Sequence, residues 1–278
     1  MNIYEFTLLV ACGALAAGFL GSLTGLGGGV VIVPLLALGF GVDIRYAIGA
    51  SLVSVIATSS GAAAAYVREG FSNIRIGMFL EMATTFGALA GAYLAGKVST
   101  EVIAIVFGLV LIYSAWLSSH PHQDPAEDDA PDPLAARLHM DASYPGPEGA
   151  IAYHVHAIPG GFSVMFLAGV LSGLLGIGSG AVKVLAMDQI MRIPFKVSTT
   201  TSNFMIGVTA AASAGIYLNR GYIDPGLAMP VMLGVLVGSL VGARVLVGTQ
   251  VRHLRTVFTL VILVLGVEMI YNGLTGRL

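Results

Sequence analysis

The sequence predicts an all-α, polytopic transmembrane helix bundle. It is built from two inverted repeats of about five segments each, with broken or re-entrant short helices after glycine-rich motifs. Three observations lead there. Hydrophobic residues make up 56% of the 278 and charged ones only 10%, against about 25% charged in a soluble globular domain. Long apolar stretches recur from Phe6 to Tyr271, so a bilayer is the natural solvent for most of the chain. The chain also aligns with itself at an offset of 151 residues without a gap, giving 18 identities over residues 18–92. Composition alone gives about 6 or 7, so a duplication is the better account.

The apolar segments fall at about 3–25, 29–42, 46–67, 74–96 and 100–117, then at 160–176, 180–192, 197–218, 225–248 and 253–273. A straight spanning helix needs about 20 residues. Segments 29–42 and 180–192 are too short and read as half-helices or arms of a re-entrant hairpin. Met1-Asn2 puts no positive side chain before the first apolar run and Glu5 is acidic, so no signal peptide is expected. Cys12 stands alone in the chain, which excludes an intramolecular disulfide framework and reads as packing.

Domain boundaries follow the apolar pattern: a first transmembrane repeat over 1–117, an acidic Pro-rich linker over 118–158, and a second transmembrane repeat over 159–278. The linker holds Asp124, Glu127, Asp128, Asp129, Asp132, Asp141 and Glu148 among many prolines, a composition expected to stay solvated rather than bury a core. Its histidines, His120, His122, His139, His154 and His156, are scattered. They read as solvated side chains in preference to a metal site.

An odd number of segments per half brings the second half in from the opposite face, as in many secondary transporters. With the N-terminus outside, Arg68, Arg75, Arg192, Lys196, Arg252 and Arg255 fall inside, and Arg45, Lys97 and Arg220 fall outside, which puts the central linker in the cytoplasm. A formal charge of −2, with no basic patch and no RNA or DNA motif, gives no support to nucleic-acid binding.

The residues that can carry chemistry centre on two glycine-rich breaks, Gly25-Leu26-Gly27-Gly28-Gly29 and Gly176-Ile177-Gly178-Ser179-Gly180. Each ends a long apolar segment and precedes a short one. An irregular backbone at membrane depth is tolerated where it is buried in protein or lines a wet cavity. The half-helix that follows then points its positive N-terminal end at that place. Close helix packing is the competing reading of these glycines. It is the preferred one for Gly87, Gly91, Gly234, Gly238 and Gly242.

Lys183, three residues past the second break where the first half has Ile32, is costly in hydrocarbon and reads as a point charge for an anion. Snorkelling, or a pair with Asp188, is the alternative. The polar run after each short segment completes a candidate cage: Ser51, Ser54 and Thr58 in one half, 198–203 in the other. From these the candidate substrate-binding residues are Gly27, Gly28, Gly29, Ser51, Gly178, Ser179, Gly180, Lys183, Thr201, Ser202 and Asn203. Glu81 and Asp188, with Glu268 behind them, are candidates for a coupling proton. No residues are assigned to catalysis or to a metal.

These motifs taken together resemble the sulfite exporter TauE/SafE family. The resemblance rests on the paired breaks, on 176–184, on Pro194-Phe195-Lys196-Val197, and on Thr201-Ser202-Asn203-Phe204. It implies a bacterial inner-membrane carrier of sulfite or an organosulfonate, acting by alternating access, with Gly27–Gly29 and Gly178–Gly180 flanking the substrate. Two departures stand out. Ser179 replaces a glycine frequent in the family, and Leu185 stands where a proline is common, while the first half keeps Pro34. The partners expected are a small anionic substrate and the lipid bilayer, with a homodimer left open; no cofactor and no enzyme activity are expected. An anion channel, a carrier of another oxyanion or carboxylate, a membrane-embedded enzyme and a packing scaffold are the rival readings.

Overall fold

The computed structural model describes residues 2–22, 28–68, 72–119, 132–146, 149–246 and 251–276. All ten apolar segments are helical. The first half supplies α1 (Ile3–Ser22), α2 (Gly29–Pro34), α3 (Ile44–Arg68), α4 (Ile74–Ala95) and α5 (Thr100–Ser119). A short α6 (Pro133–Arg137) and a hairpin of β1 (Ala142–Gly146) and β2 (Gly149–Tyr153) follow. The second half supplies α7 (Ile158–Leu175), α8 (Gly180–Leu185), α9 (Phe195–Asn219), α10 (Pro225–Leu246) and α11 (Val251–Thr275). Adding 151 carries the bounds of α3 and α4 onto those of α9 and α10.

The two short segments turn back on the helices before them. After α2 the chain continues as a wide π turn over Leu35–Gly39 and runs antiparallel to α1. Phe40 meets Phe6 edge-on at 5.7 Å, and a Cβ on Gly13 would touch Leu35. After α8 an equivalent π turn covers Ala186–Ile190, and Gly160 and Gly161 face Ile190 and Met191. Pro34 removes one helical N–H in the first copy. Leu185 has that N–H, yet the second copy makes the same wide turn. Proline is therefore not what widens it. Each pair, α1/α2 and α7/α8, is a helical hairpin whose short arm of eleven residues spans about 16 Å.

Helix contacts exchange under the 151-residue shift. α1 packs on α10 as α7 packs on α4, α3 packs on α10 as α9 packs on α4, and α3/α9 and α5/α11 each pair with their own counterpart. Glycines set the first two seams. A Cβ on Gly87 would stand 2.1 Å from the Phe166 carbonyl oxygen, and one on Gly169 2.2 Å from that of Thr84. In the matching seam a Cβ on Gly238 would stand 2.0 Å from the Leu15 oxygen, and one on Gly18 2.4 Å from that of Val235. Only glycine lets these backbones touch.

Contact positions rise together along α4 with α7 and along α1 with α10, so each of those pairs is parallel. They fall against each other in α5 with α11.

The bundle has two ends. At the end where α1 begins, Arg45 donates to the Val98 oxygen at 3.0 Å, and Arg220 donates to those of Ala92 at 2.8 Å and Tyr93 at 3.0 Å. Arg220, together with Arg45 through a further bond to the Ala95 oxygen at 3.4 Å, satisfies the last carbonyls of α4, where the helix dipole is negative. At the other end the segment 132–157 folds against α4 and α9. The Asp132 carboxylate accepts from the Leu134 and Ala157 N–H groups. Ala135, Met140, Tyr153 and Val155 join Ile76, Leu80 and Val197 in a buried cluster. This corrects the expectation that the whole of 118–158 stays solvated. The acids and prolines crowd its first part, and residues 120–131 lie outside the described ones. The remainder carries enough apolar side chains to pack.

Besides the apolar core, large apolar side chains cover much of the outer surface. On α4, Met78, Met82, Phe86, Leu89 and Tyr93 are exposed, while Glu81, Thr84, Gly87, Ala88 and Gly91 are buried. Leu8, Leu109, Trp116, Leu167, Leu240, Leu260 and Val267 are exposed likewise. Among the described residues, Ile74–Ala95 and Ile158–Leu175 are long and apolar enough to cross a membrane. Cys12, expected in packing, lies exposed on α1.

Candidate functional site

The second break is a real interruption at the centre of the fold. α7 stops because Gly176 turns left-handed at φ +68° and its N–H bonds back to the Ser172 oxygen at 2.8 Å. Gly178 (φ +72°) and Ser179 (φ +46°) are also left-handed before α8 begins. Glycine takes this conformation freely, whereas Ser179 is strained by its Cβ. All five residues are buried. Of the first break, Gly25 to Gly27 lie outside the described residues. Gly28 and Gly29 are buried, and Gly28 is right-handed at φ −64° as it opens α2. Gly28 and Ser179 occupy the same repeat position, so the two breaks differ in backbone shape there.

The two breaks meet. The Ser51 hydroxyl, on α3, donates to the Gly176 oxygen at 2.8 Å, and both groups are buried. A Cβ on Gly29 would stand 2.7 Å from Ser51 Oγ and 3.2 Å from the Gly176 oxygen. In the second half the Ser202 hydroxyl donates to the Gly180 oxygen at 3.3 Å. Ser179 Oγ is buried with no hydrogen-bond partner among the described residues.

Beside the second break runs a row of polar groups. The Lys183 ammonium, fully buried, donates to Thr209 Oγ1. Thr209 lies within 2.7 Å of Glu81 Oε1, to which its hydroxyl can donate, and the Thr85 hydroxyl reaches the same oxygen at 3.2 Å. The second carboxylate oxygen, Oε2, is 3.8 Å from Lys183 Nζ and takes no hydrogen bond among the described residues. Thr84, one turn along α4, is also buried and sits 3.5 Å from Thr209.

The sequence singled out Lys183 and Glu81 separately, and the structure brings them together. Asp188, offered as an alternative partner for Lys183, is buried on the π turn, and Lys183 forms an ion pair with Glu81. Glu268 is exposed on α11, away from this row. Thr201 faces the other way. Its hydroxyl accepts from the Asn73 N–H at 3.0 Å, and the Asn73 amide donates to the Tyr153 hydroxyl at 2.7 Å. Asn203 is half-buried.

A cavity of about 240 Å³ lies at that end of the bundle, lined by Ser72, Asn73, Ser143, Tyr153 and Val197 among others. Burial pushes the Tyr153 phenol up from its ordinary pKa, so it stays protonated there.

Sequence reasoning missed Thr209 and Thr84 as site residues. In sequence Thr209 is the repeat mate of Thr58, 151 residues on. A hydroxyl conspicuous in an apolar helix, with a lysine and a glutamate elsewhere in need of partners, was the available signal. Among the described residues no cluster of three or more His, Cys, Asp or Glu side chains could hold a metal.

Comparison with known proteins agrees with this geometry in kind. The model of the family described as Sulfite exporter TauE/SafE matches residues 9–269. A probable membrane transporter protein of Bacillus subtilis (strain 168), YunE, is 28% identical, covering 97% of this chain and 99% of its own. A second from the same organism, YdhB, is 26% identical over 82% of this chain and 83% of its own. A probable membrane transporter protein of Methanocaldococcus jannaschii is 24% identical over 96% and 97%. No solved structure matches.

Proposed function

The chain belongs to the sulfite exporter TauE/SafE family, and from that premise we propose that it is a membrane transporter of a small sulfur-containing anion such as sulfite or an organosulfonate. The observation that carries the reading is the meeting of the two breaks. Two hairpins come in from opposite ends of the bundle, and their breaks meet where a Cβ on Gly29 would stand 3.2 Å from the Gly176 oxygen, which the Ser51 hydroxyl of α3 also reaches. Buried polar groups with no lipid to face surround that point: Ser179, Lys183, Ser202 and Thr209. Polar and charged groups so deep in an apolar bundle belong to a pathway or a substrate site.

The two halves are inverted repeats in a membrane, and the parallel pairing of α1 with α10 and of α4 with α7 supports that. The linker end carries Arg75, Arg192 and Lys196 and faces the cytoplasm, by the positive-inside rule. The anion binds near the midplane. The arms that begin at Gly29 and Gly180 turn their N-terminal amides toward it, and the Ser179 hydroxyl, which has no hydrogen-bond partner among the described residues, donates to it. Lys183 supplies the positive charge, and Ser51 and Ser202 hold the second break in shape. Thr201, pointing to Asn73 and the linker, is better placed to line the entry on that side. Access alternates between the two faces as the hairpins move against each other. The protein is a carrier and not an enzyme.

The test is a liposome flux panel of sulfite, an alkanesulfonate, sulfate and thiosulfate, run with and without a pH gradient. Saturable flux of one sulfur anion is expected. A flat response to every one overturns the assignment, and flux that never saturates turns it into a channel.

A further inference from the structure

We propose that Glu81 and the transported anion are alternative counter-charges for Lys183, so that the anion enters its site together with one proton, which goes onto Glu81. The inference rests on the transporter reading above and assigns the coupling within that same site.

The charge arithmetic is local. Lys183 and Glu81 sum to zero while the site is empty. An anion beside Lys183 with Glu81 still ionised leaves one uncompensated negative charge in a buried, low-dielectric place, which is strongly disfavoured. A proton on Glu81 restores the balance.

On the helices packed against α4, which are α7 and α9, no other carboxylate is present. α7 carries no titratable side chain, α9 brings only Lys196 at its exposed start and Tyr217 near its far end, and α4 adds Arg75 and Tyr93 near its two ends. α3 adds Arg45, Tyr46, Tyr66 and Arg68, all in its first or last turns. Asp188, on the same short arm as Lys183, is the rival carboxylate.

Geometry also supplies a place for the proton and a switch. Oε2 of Glu81 takes no hydrogen bond among the described residues, while Oε1 is reached by two threonines. The proton therefore goes to Oε2 and leaves from it on release, with no other bond made or broken. The Thr209 hydroxyl has a second acceptor, the Met205 oxygen at 3.0 Å. It can give up a neutralised Glu81 without losing a partner, while continuing to accept from Lys183. The repeat mates of Lys183 and Glu81 are Ile32 and Met232, so the device occurs once per chain and predicts one proton per monovalent anion.

The experiment uses the full chain in liposomes loaded with a pH dye, with sulfite and ethanesulfonate as the anions. Ethanesulfonate stays ionised and brings no proton of its own; for sulfite, comparing variants at one pH cancels its own titration. Wild-type protein should move one proton with each ethanesulfonate. Glu81→Gln should move anion with that ratio near zero and with a flattened pH dependence, and Asp188→Asn should keep the wild-type ratio. Should Glu81→Gln fail to fold, proton uptake on adding ethanesulfonate to weakly buffered wild-type protein reads the same stoichiometry.

Anion flux or binding in the wild type without protons overturns the proposal. So does a wild-type ratio in Glu81→Gln, or a ratio lost only in Asp188→Asn. Absence of any anion flux in the wild type instead overturns the transporter reading, and the coupling with it.

Discussion

Removing one member of the Lys183–Glu81 pair should cost far more stability than removing both. The ammonium and carboxylate are 3.8 Å apart, with side chains 0% and 9% exposed. At an effective dielectric of 20, opposite unit charges at that distance attract by about 4 kcal/mol. Lys183→Met keeps the length of the side chain but strands the carboxylate, and Glu81→Gln strands the ammonium. Each should cost about 3–5 kcal/mol, because a buried charge is left without its partner. The double variant buries no charge, and the two new side chains have nearly the volumes of the old ones. It should lie within about 2 kcal/mol of wild type, a coupling of several kcal/mol between the sites.

Thermal unfolding followed by circular dichroism in a mild detergent reads this. At about 2–4 °C per kcal/mol for a chain of this size class, each single change lowers the midpoint by roughly 6–20 °C, and the double change recovers most of it. If the two losses simply add, the groups do not compensate each other, and both the pairing and the coupling built on it are wrong.

Ser51→Ala removes the buried hydrogen bond that ties α3 to the second break at the Gly176 oxygen. A loss of about 1–3 kcal/mol and a fall in sulfite flux are expected from melting and liposome assays. Ser179→Gly relieves a left-handed serine and should raise stability by about 0.5–1 kcal/mol while raising the KM for the anion, as a lost ligand requires; an unchanged KM removes Ser179 from the site. Gly169→Ala puts a methyl group 2.2 Å from the Thr84 oxygen. It should destabilise by about 1–3 kcal/mol or more, and Gly238→Ala should do the same in the matching seam, both read by melting. Arg220→Ala uncovers two carbonyls at the end of α4 and should cost about 1.5–3 kcal/mol. Hydrogen exchange should localise that loss to residues 92–95.

Much of the fold was legible because the bilayer imposes coarse rules. Run length separated the full helices from the short arms, and the 151-residue register foretold which helices would match. The sequence could not show that the short arms fold back, since length alone does not tell a half-crossing from a hairpin. That came from contacts such as Phe6 with Phe40.

In the site, the glycine break at 176–180 and the unusual Lys183 were visible as rule-breaking residues. The partner of Lys183 was not, because Glu81 is about 100 residues away and reaches it only through the packing of α4 against α9. Thr201 was misjudged for a related reason. Neighbours on a helix face different ways, and the turn from 201 to 202 separates a hydroxyl aimed at Asn73 from one aimed at Gly180. The linker was misread because its average composition conceals a polar first part and a foldable second.

The glycine seams decide what can travel as a unit. α1 is clasped to α10 and α7 to α4 by backbone contacts with no side chain to yield between them. For the carrier proposed above, the bodies that shift are therefore not the two halves of the chain. Each must be a mosaic, with the hairpin of one ancestral copy riding on a long helix of the other. A nick in the linker would then sever the chain without separating any moving part, and two halves expressed as separate polypeptides would have to reassemble before either could work.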